Sequence, residues 1–256
     1  MQRVLVTGAA KGIGRAVAEA FAAEGAALVL MDTDAGGLGD VAAALTGQAS
    51  RLDAIVGSVA KAADCEAAAA LAQSALGGLD VLSHNAGIQR YGTVETTTED
   101  VWDEVFAVNL KGAFLISKAV MPMLRASRGS VVHMASVQGF ISQSGVAAYA
   151  AAKHGLIGLV RSMAVDYAPL GVRVNGVAPG SVDTPMLRSS VALADDPEAV
   201  WAEIRNMHPL GRAANASEVA NAVVFLASDK ASFITGDILR VDGALTAHIP
   251  GSPKKD

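Results

Sequence analysis

Seven short runs rich in Val, Ile and Leu recur along the chain with alanine-rich stretches of helical length between them, and this alternation restricts the fold more than any other feature. The runs fall at residues 3–6, 27–31, 52–56, 81–83, 130–134, 173–177 and 238–241. Helical spacing covers 12–24, 35–45, 61–76, 101–126, 148–167 and 217–227. Parallel strands need long crossovers, and an intervening helix supplies the crossover while covering one face of the sheet. The pattern therefore predicts an α/β chain with a doubly wound parallel sheet. Pro122 marks the place where the longest helix is expected to bend.

At 256 residues the chain suits one unit with a large core, expected over residues 1–246 with a tail at 247–256. Apolar residues make up 52% of it, yet much of that is alanine, and no run reaches the length of uninterrupted apolar residues that a membrane span needs. The first strand-like run begins at residue 3, which leaves no room for a signal peptide, so a cytoplasmic location is expected. Cys65 is the single cysteine, which excludes an internal disulfide and a thiolate cluster for zinc. A net charge of −5 gives no footprint for nucleic acid or an anionic membrane. Stretches 113–124 and 156–165 are apolar on more than one side, and Ala150, Ala151, Gly155 and Gly158 permit close helix approach. A homo-oligomer, expected as a tetramer, follows from that pattern.

Directly after the first run comes Thr7-Gly8-Ala9-Ala10-Lys11-Gly12-Ile13-Gly14, leading into an amphipathic helix. Glycines between a strand and a helix allow a tight turn and close backbone approach to a pyrophosphate, whose charge the free N–H groups of the helix start receive. Asp32 ends the second run, eighteen residues beyond Gly14, where a carboxylate can accept from both adenosine ribose hydroxyls and repel a 2′-phosphate. Lys11 argues the other way, since a cation in this loop can approach such a phosphate. The carboxylate would occupy the ribose position itself, so NAD is expected over NADP.

Tyr149 and Lys153 stand four residues apart, on one face of a predicted helix, thirteen residues after Ser136. A cation beside a phenol favours the phenolate, which would draw the tyrosine toward the working pH range and suit it to general acid/base work.

With these residues in view the chain resembles the short-chain dehydrogenase/reductase family over nearly its whole length. The matching motifs are the glycine loop, Asn85-Ala86-Gly87, Asn109 in Val-Asn-Leu-Lys-Gly, Ser136, Tyr149 with Lys153, Pro179-Gly180-Ser181-Val182-Asp183-Thr184 and Asp242-Gly243. The resemblance implies a Rossmann-type sheet of order 3-2-1-4-5-6-7 and hydride exchange between nicotinamide and an alcohol or carbonyl carbon. Tyr149 would be the acid/base, Ser136 would hold the substrate oxygen, and Lys153 would bind the nicotinamide ribose and lower the tyrosine pKa. Asn109 would stabilise a helix irregularity that anchors a water. Gly8, Lys11, Gly12, Ile13, Gly14, Asp32, Ser58, Val59, Asn85, Ala86, Gly87, Pro179, Gly180, Val182 and Thr184 would line the cofactor. Ser58 replaces a frequent Asp that meets adenine, and His84 replaces a frequent Asn; His84 is expected as a packed strand residue and not as a second base.

Substrate choice would come from a helix-loop-helix lid at about 183–210 and from Gln89, Arg90, Gln138 and Gln143 on the opposite wall. Gln89 and Gln138, with Ser136 and Tyr149, are the expected substrate contacts. Amides suit a polyhydroxylated substrate, and the motifs resemble those of sugar and polyol dehydrogenases. The alternatives are a reductase of 3-oxoacyl thioesters on a carrier protein and, from a different class, a non-catalytic NAD-binding redox sensor.

Overall fold

The computed structural model describes residues 2–248, so 249–256, most of the expected tail, lie outside the described residues. In chain order the strands are β1 (Arg3–Thr7), β2 (Ala27–Asp32), β3 (Arg51–Val56), β4 (Val81–His84), β5 (Ser130–Met134), β6 (Arg173–Pro179), β7 (Val182–Asp183), β8 (Ala214–Asn215) and β9 (Ile238–Val241). The helices are α1 (Gly12–Ala23), α2 (Ala35–Leu45), α3 (Ala62–Leu76), α4 (Glu99–Phe106), α5 (Gly112–Ser127), α6 (Ala147–Tyr167), α7 (Pro185–Val191), α8 (Pro197–Met207) and α9 (Ala216–Ala227).

Seven strands form one parallel sheet in the order β3-β2-β1-β4-β5-β6-β9, so the last of the seven expected strands sits at the far edge as predicted. Two-residue β7 and β8 pair separately, Val182 with Ala214 and Asp183 with Asn215, and stitch together the two ends of the lid segment. Both faces of the central strands are buried, while the edge strand β3 is partly exposed. On one face Val4, Val6, Leu28 and Leu30 pack against Val17 and Phe21 of α1 and Val219 and Val223 of α9. On the other face Leu5, Val29, Leu82 and Val131 pack against α3, α5 and α6 through Ala68, Ile116, Val120 and Val160. Strands buried on both sides carry continuous apolar runs instead of alternating ones, which is why they are conspicuous in the sequence.

The long central helix is interrupted, but not at Pro122. A π-helical turn, Ala107–Lys111, separates α4 from α5, whereas Pro122 lies inside a continuous α5. By length and composition the stretch Glu99–Ser127 is apolar enough to cross a membrane. Its residues Ile116, Val120 and Leu124 have no solvent exposure and pack on the sheet, as a core helix does.

Candidate active site

The carboxyl ends of β1, β4, β5 and β6 open onto one side of the sheet, and the loops leaving them build the site. After β1 the chain turns at Gly8, whose φ of +65° is a left-handed conformation favouring glycine. A Cβ there would come within 2.8 Å of the Ala86 nitrogen, so the glycine loop and the loop after β4 are in direct contact. A Cβ on Gly14 would collide with the Gly8 carbonyl, which leaves the first turn of α1 free to approach the loop backbone. Such a cradle fits a pyrophosphate at a helix start.

Asp32 closes the loop from the side. One carboxylate oxygen accepts from the Ala10 N–H at 2.9 Å and the other from the Asp34 N–H at 3.0 Å. Lys11 is exposed and lies 3.9 Å from the Asp34 carboxylate, so its charge is partly balanced. Ser58 makes local bonds: its N–H donates to Asp64 at 2.8 Å and its hydroxyl accepts from the Ala60 N–H at 3.3 Å. Val59 is buried beneath Gly112, where a Cβ would meet its side chain at 2.7 Å. Cys65 is buried, its thiol pointing to the Val59 carbonyl at 3.4 Å, and burial pushes its pKa up to about 11. A thiol so placed is inert.

The Thr7 hydroxyl organises the loop after β4. It accepts from the Asn85 and Ala86 N–H groups at 3.2 and 3.3 Å, so its own hydrogen points to His84 Nδ1 at 2.8 Å. His84 is therefore the neutral Nε2–H tautomer. Burial, reinforced by His133 and Lys153, pulls its pKa well below the usual histidine value. This makes His84 a packed anchor of the Asn85-Ala86-Gly87 loop, with its ring edge-on to His133 at 5.5 Å between centroids.

Asn109, in the middle of the π-helical turn, is 1% exposed. Its Oδ1 accepts from the Ile88 N–H at 3.1 Å, and its Nδ2 donates to the Ile88 and Val105 carbonyls at 2.8 and 3.0 Å. Asn109 thus ties the helix irregularity to the end of the Gly87 loop, and the absence of a Cβ on Gly87 leaves room for its amide, which such an atom would meet at 2.8 Å.

Ser136 follows β5 and accepts from the Gln138 N–H at 3.1 Å, leaving its own hydroxyl hydrogen for another acceptor. Tyr149 and Lys153 come one turn apart from α6, with the Lys153 ammonium 5.6 Å from the tyrosine ring centroid. Lys153 is 3% exposed and donates to the Met134 carbonyl at 2.7 Å. Burial pulls its pKa down to about 8. Burial also pushes the Tyr149 phenol above its ordinary value; the Ser136 hydroxyl draws it partly back and Tyr91 pushes it further up. The sequence expectation of a tyrosine acidified by its lysine is not what this environment does: both groups are held toward their neutral forms by loss of water.

These side chains face a cavity of about 680 Å3. Ile13, Asn85, Gly87, Pro179, Gly180, Val182 and Thr184 line one part of it, and Ser136, Tyr149 and Lys153 lie at its floor. Gln89, Gln138 and Gln143 form a polar wall, with Gln138 Nε2 donating to Gln143 Oε1 at 3.2 Å and Gln138 Oε1 buried without a partner. Met186, Leu187, Val191, Ile204 and Met207 from α7 and α8 form the apolar roof. Gly8, Lys11, Gly12, Gly14, Asp32, Ser58, Val59, Ala86 and Asn109 do not line this cavity; they stand beside or beneath it. Tyr91, Glu203 and His208 were not singled out by the sequence, although Tyr91 and Glu203 line the cavity. Only the nearness of Tyr91 to the Gly87 motif offered a signal.

A family model described as enoyl-(acyl carrier protein) reductase matches residues 8–246. Over 245 residues the chain is 39% identical to 2-(S)-hydroxypropyl-CoM dehydrogenase 3 of Xanthobacter autotrophicus, covering 95% of this chain and 96% of that one. The 3-oxoacyl-[acyl-carrier-protein] reductase of Escherichia coli is 40% identical over 243 residues, covering 94% and 96%. The ligand-free structure of Thermoplasma acidophilum aldohexose dehydrogenase superposes with a TM-score of 0.89 at 38% identity, covering 98% and 96%. Matches of this extent place the chain in the short-chain dehydrogenase/reductase family of oxidoreductases.

Proposed function

We propose that this chain is an NAD-dependent dehydrogenase that acts on the CH–OH group of a sugar or polyol. The observation that carries this reading is the convergence of Ser136, Tyr149 and Lys153 on one cavity beside Gly87 and Gly180. Bound nicotinamide would supply the hydride acceptor or donor. Tyr149 Oη takes or returns the proton of the substrate oxygen, and the Ser136 hydroxyl, already bonded to the tyrosine, fixes that oxygen beside it. Lys153 has two ammonium hydrogens beyond the one given to Met134, available to the nicotinamide ribose. The roof excludes water, which strengthens each of these bonds.

Asp32 and Asp34 favour the unphosphorylated cofactor, because two carboxylates face one partly balanced lysine at the adenosine end. The wall of glutamines favours hydroxyl-bearing substrates, since the amides of Gln89, Gln138 and Gln143 supply both donors and acceptors along one side of the cavity. Similarity to an aldohexose dehydrogenase supports the same class. Reduction of 3-oxoacyl thioesters is the second reading, favoured by the 40% identity to a reductase of that type. We take residues 1–246, with the lid at 183–210, as one catalytic unit acting in the cytoplasm. Phe114 and Val165, exposed on α5 and α6, support assembly into a homotetramer.

The test is a screen of aldoses, polyols and 3-oxoacyl thioesters with both cofactors, followed by absorbance of the reduced nicotinamide. Oxidation of a sugar or polyol with NAD is expected, lost in Tyr149→Phe while NADH still binds. Activity confined to thioesters would establish the second reading, and tight NAD binding without any turnover would indicate a sensor. Unchanged turnover in Tyr149→Phe would remove that residue from its role.

A further inference from the structure

His208 caps the end of α8, is 3% exposed, and takes no part in the chemistry described above. Its two ring nitrogens are both committed, and the partners fix which one carries the proton. Nδ1 lies 2.7 Å from the Ile204 carbonyl, which can only accept, so Nδ1 holds the hydrogen. Nε2 accepts from the Ser181 N–H at 3.1 Å, so it must hold a lone pair. Gly180 leaves the space for this ring, since a Cβ there would come within 2.6 Å of Nε2. The Ser181 carbonyl in turn accepts from the Ala214 N–H at 2.9 Å, where β8 begins beyond the lid.

We propose that His208 is the pivot of the lid and a positioning residue for the nicotinamide site. It bolts the C-terminal end of α8 to Gly180 and Ser181, so the roof residues Ile204 and Met207 are held at a point fixed to the cavity wall. The rest of the lid is held less firmly: Met186 and Leu193 are 47% and 82% exposed, and α7 is tied to its stem through the exposed Arg188–Asp183 pair. An imidazole is the side chain that serves here because one ring offers a donor toward α8 and an acceptor toward the wall. His208 acts through Gly180 and Ser181 without touching the reacting atoms.

The test compares wild type, His208→Leu and His208→Gln by trypsin cleavage at the exposed lid arginines, Arg188 and Arg205, and by fluorescence titration with NADH. Leucine fills the space but removes both bonds, whereas the glutamine amide retains a donor and an acceptor. Cleavage about tenfold faster and weaker NADH binding are expected for His208→Leu, with His208→Gln restoring most of both. Long-range 15N spectra of wild type should place His208 Nε2 in the unprotonated range, a readout that stands even if the leucine variant does not fold. Equal cleavage of wild type and His208→Leu, failure of glutamine to recover either property, or a protonated Nε2 would overturn the proposal. If wild type fails to bind NADH, the proposed function falls, while the cleavage order still judges the pivot.

Discussion

Replacing Asn109 tests whether the π-helical turn is held by that one amide. Asn109→Leu deletes three hydrogen bonds, of 2.8, 3.0 and 3.1 Å, and strands the Ile88 N–H with the Ile88 and Val105 carbonyls in a site where the native side chain is 1% exposed. A net bond is worth about 1 kcal/mol, and a buried group left without a partner costs about 1–3 kcal/mol, so non-additive losses sum to about 3 kcal/mol. For a chain of this size each kcal/mol shifts Tm by about 2–4 °C, which gives a fall of about 6–12 °C. Asn109→Asp sharpens the test, because it places an anionic oxygen against the two carbonyls that Nδ2 now serves. It should be at least as damaging as leucine at neutral pH, and should recover as the medium is acidified, since a protonated carboxyl regains one donor. Calorimetry of the three proteins across the acid range reads both effects. A leucine variant melting within about 2 °C of wild type would refute the reasoning, as would an aspartate variant that ignores pH.

Lys153 offers a prediction on stability with a definite sign. Its native pKa lies near 8 against an ordinary 10.5, so between those values the unfolded chain holds a proton that the native one releases, and stability should rise with pH across that window. Below it the buried ammonium costs about 3 kcal/mol, partly offset by its bond to Met134, so Lys153→Met should raise Tm at neutral pH by several degrees while abolishing turnover. A lowered or unchanged Tm would refute the cost assigned to the buried charge. Asp32→Ala should narrow the preference between the cofactors, measured as the ratio of kcat/KM with NAD to that with NADP. A wild-type enzyme that already favours NADP would reverse the weight given to Asp32 over Lys11.

The sheet was legible because its central strands β1, β2, β4 and β5 are buried on both faces and read as largely apolar runs, and the crossover helices between them leave few topologies to choose from. The glycine loop was legible for a related reason, since close backbone approach demands a missing Cβ at fixed positions. What was not legible depends on contacts distant in sequence. Local chemistry pointed to Pro122 as the bend, and only the family resemblance pointed to an irregularity at Asn109; it sits at Ala107–Lys111, where Asn109 finds its partner in Ile88, 21 residues earlier. Spacing placed Tyr149 and Lys153 on one helix face, yet spacing carries no depth. Their burial reversed the expected direction of the tyrosine shift. His208 gave no local sign, since the acceptor role of its ring is set by Ser181, 27 residues before it.

The two sides of the cavity differ in how they are built, and that difference bears on what varies between relatives. The floor is held by buried bonds with little tolerance: Thr7 to His84 and the Asn85 loop, Asn109 to Ile88, and Lys153 to Met134. Each leaves a stranded polar group if one partner changes, so the geometry around Tyr149 is stiff toward substitution. The roof over it is made of apolar side chains on two short helices, with Met186 47% exposed and Leu193 in the turn between them 82% exposed. Such surfaces exchange one hydrophobic residue for another at small cost. A chain can thus keep the same floor, Ser136, Tyr149 and Lys153 included, while its roof changes shape. That is consistent with proteins named for 2-(S)-hydroxypropyl-CoM, a 3-oxoacyl-[acyl-carrier-protein] and an aldohexose all standing 38–40% identical to this one. On the proposed function, exchanges at the apolar roof residues Met186, Leu187, Val191, Ile204 and Met207 should therefore alter substrate choice with less loss of stability than exchanges at the buried bonds of the floor.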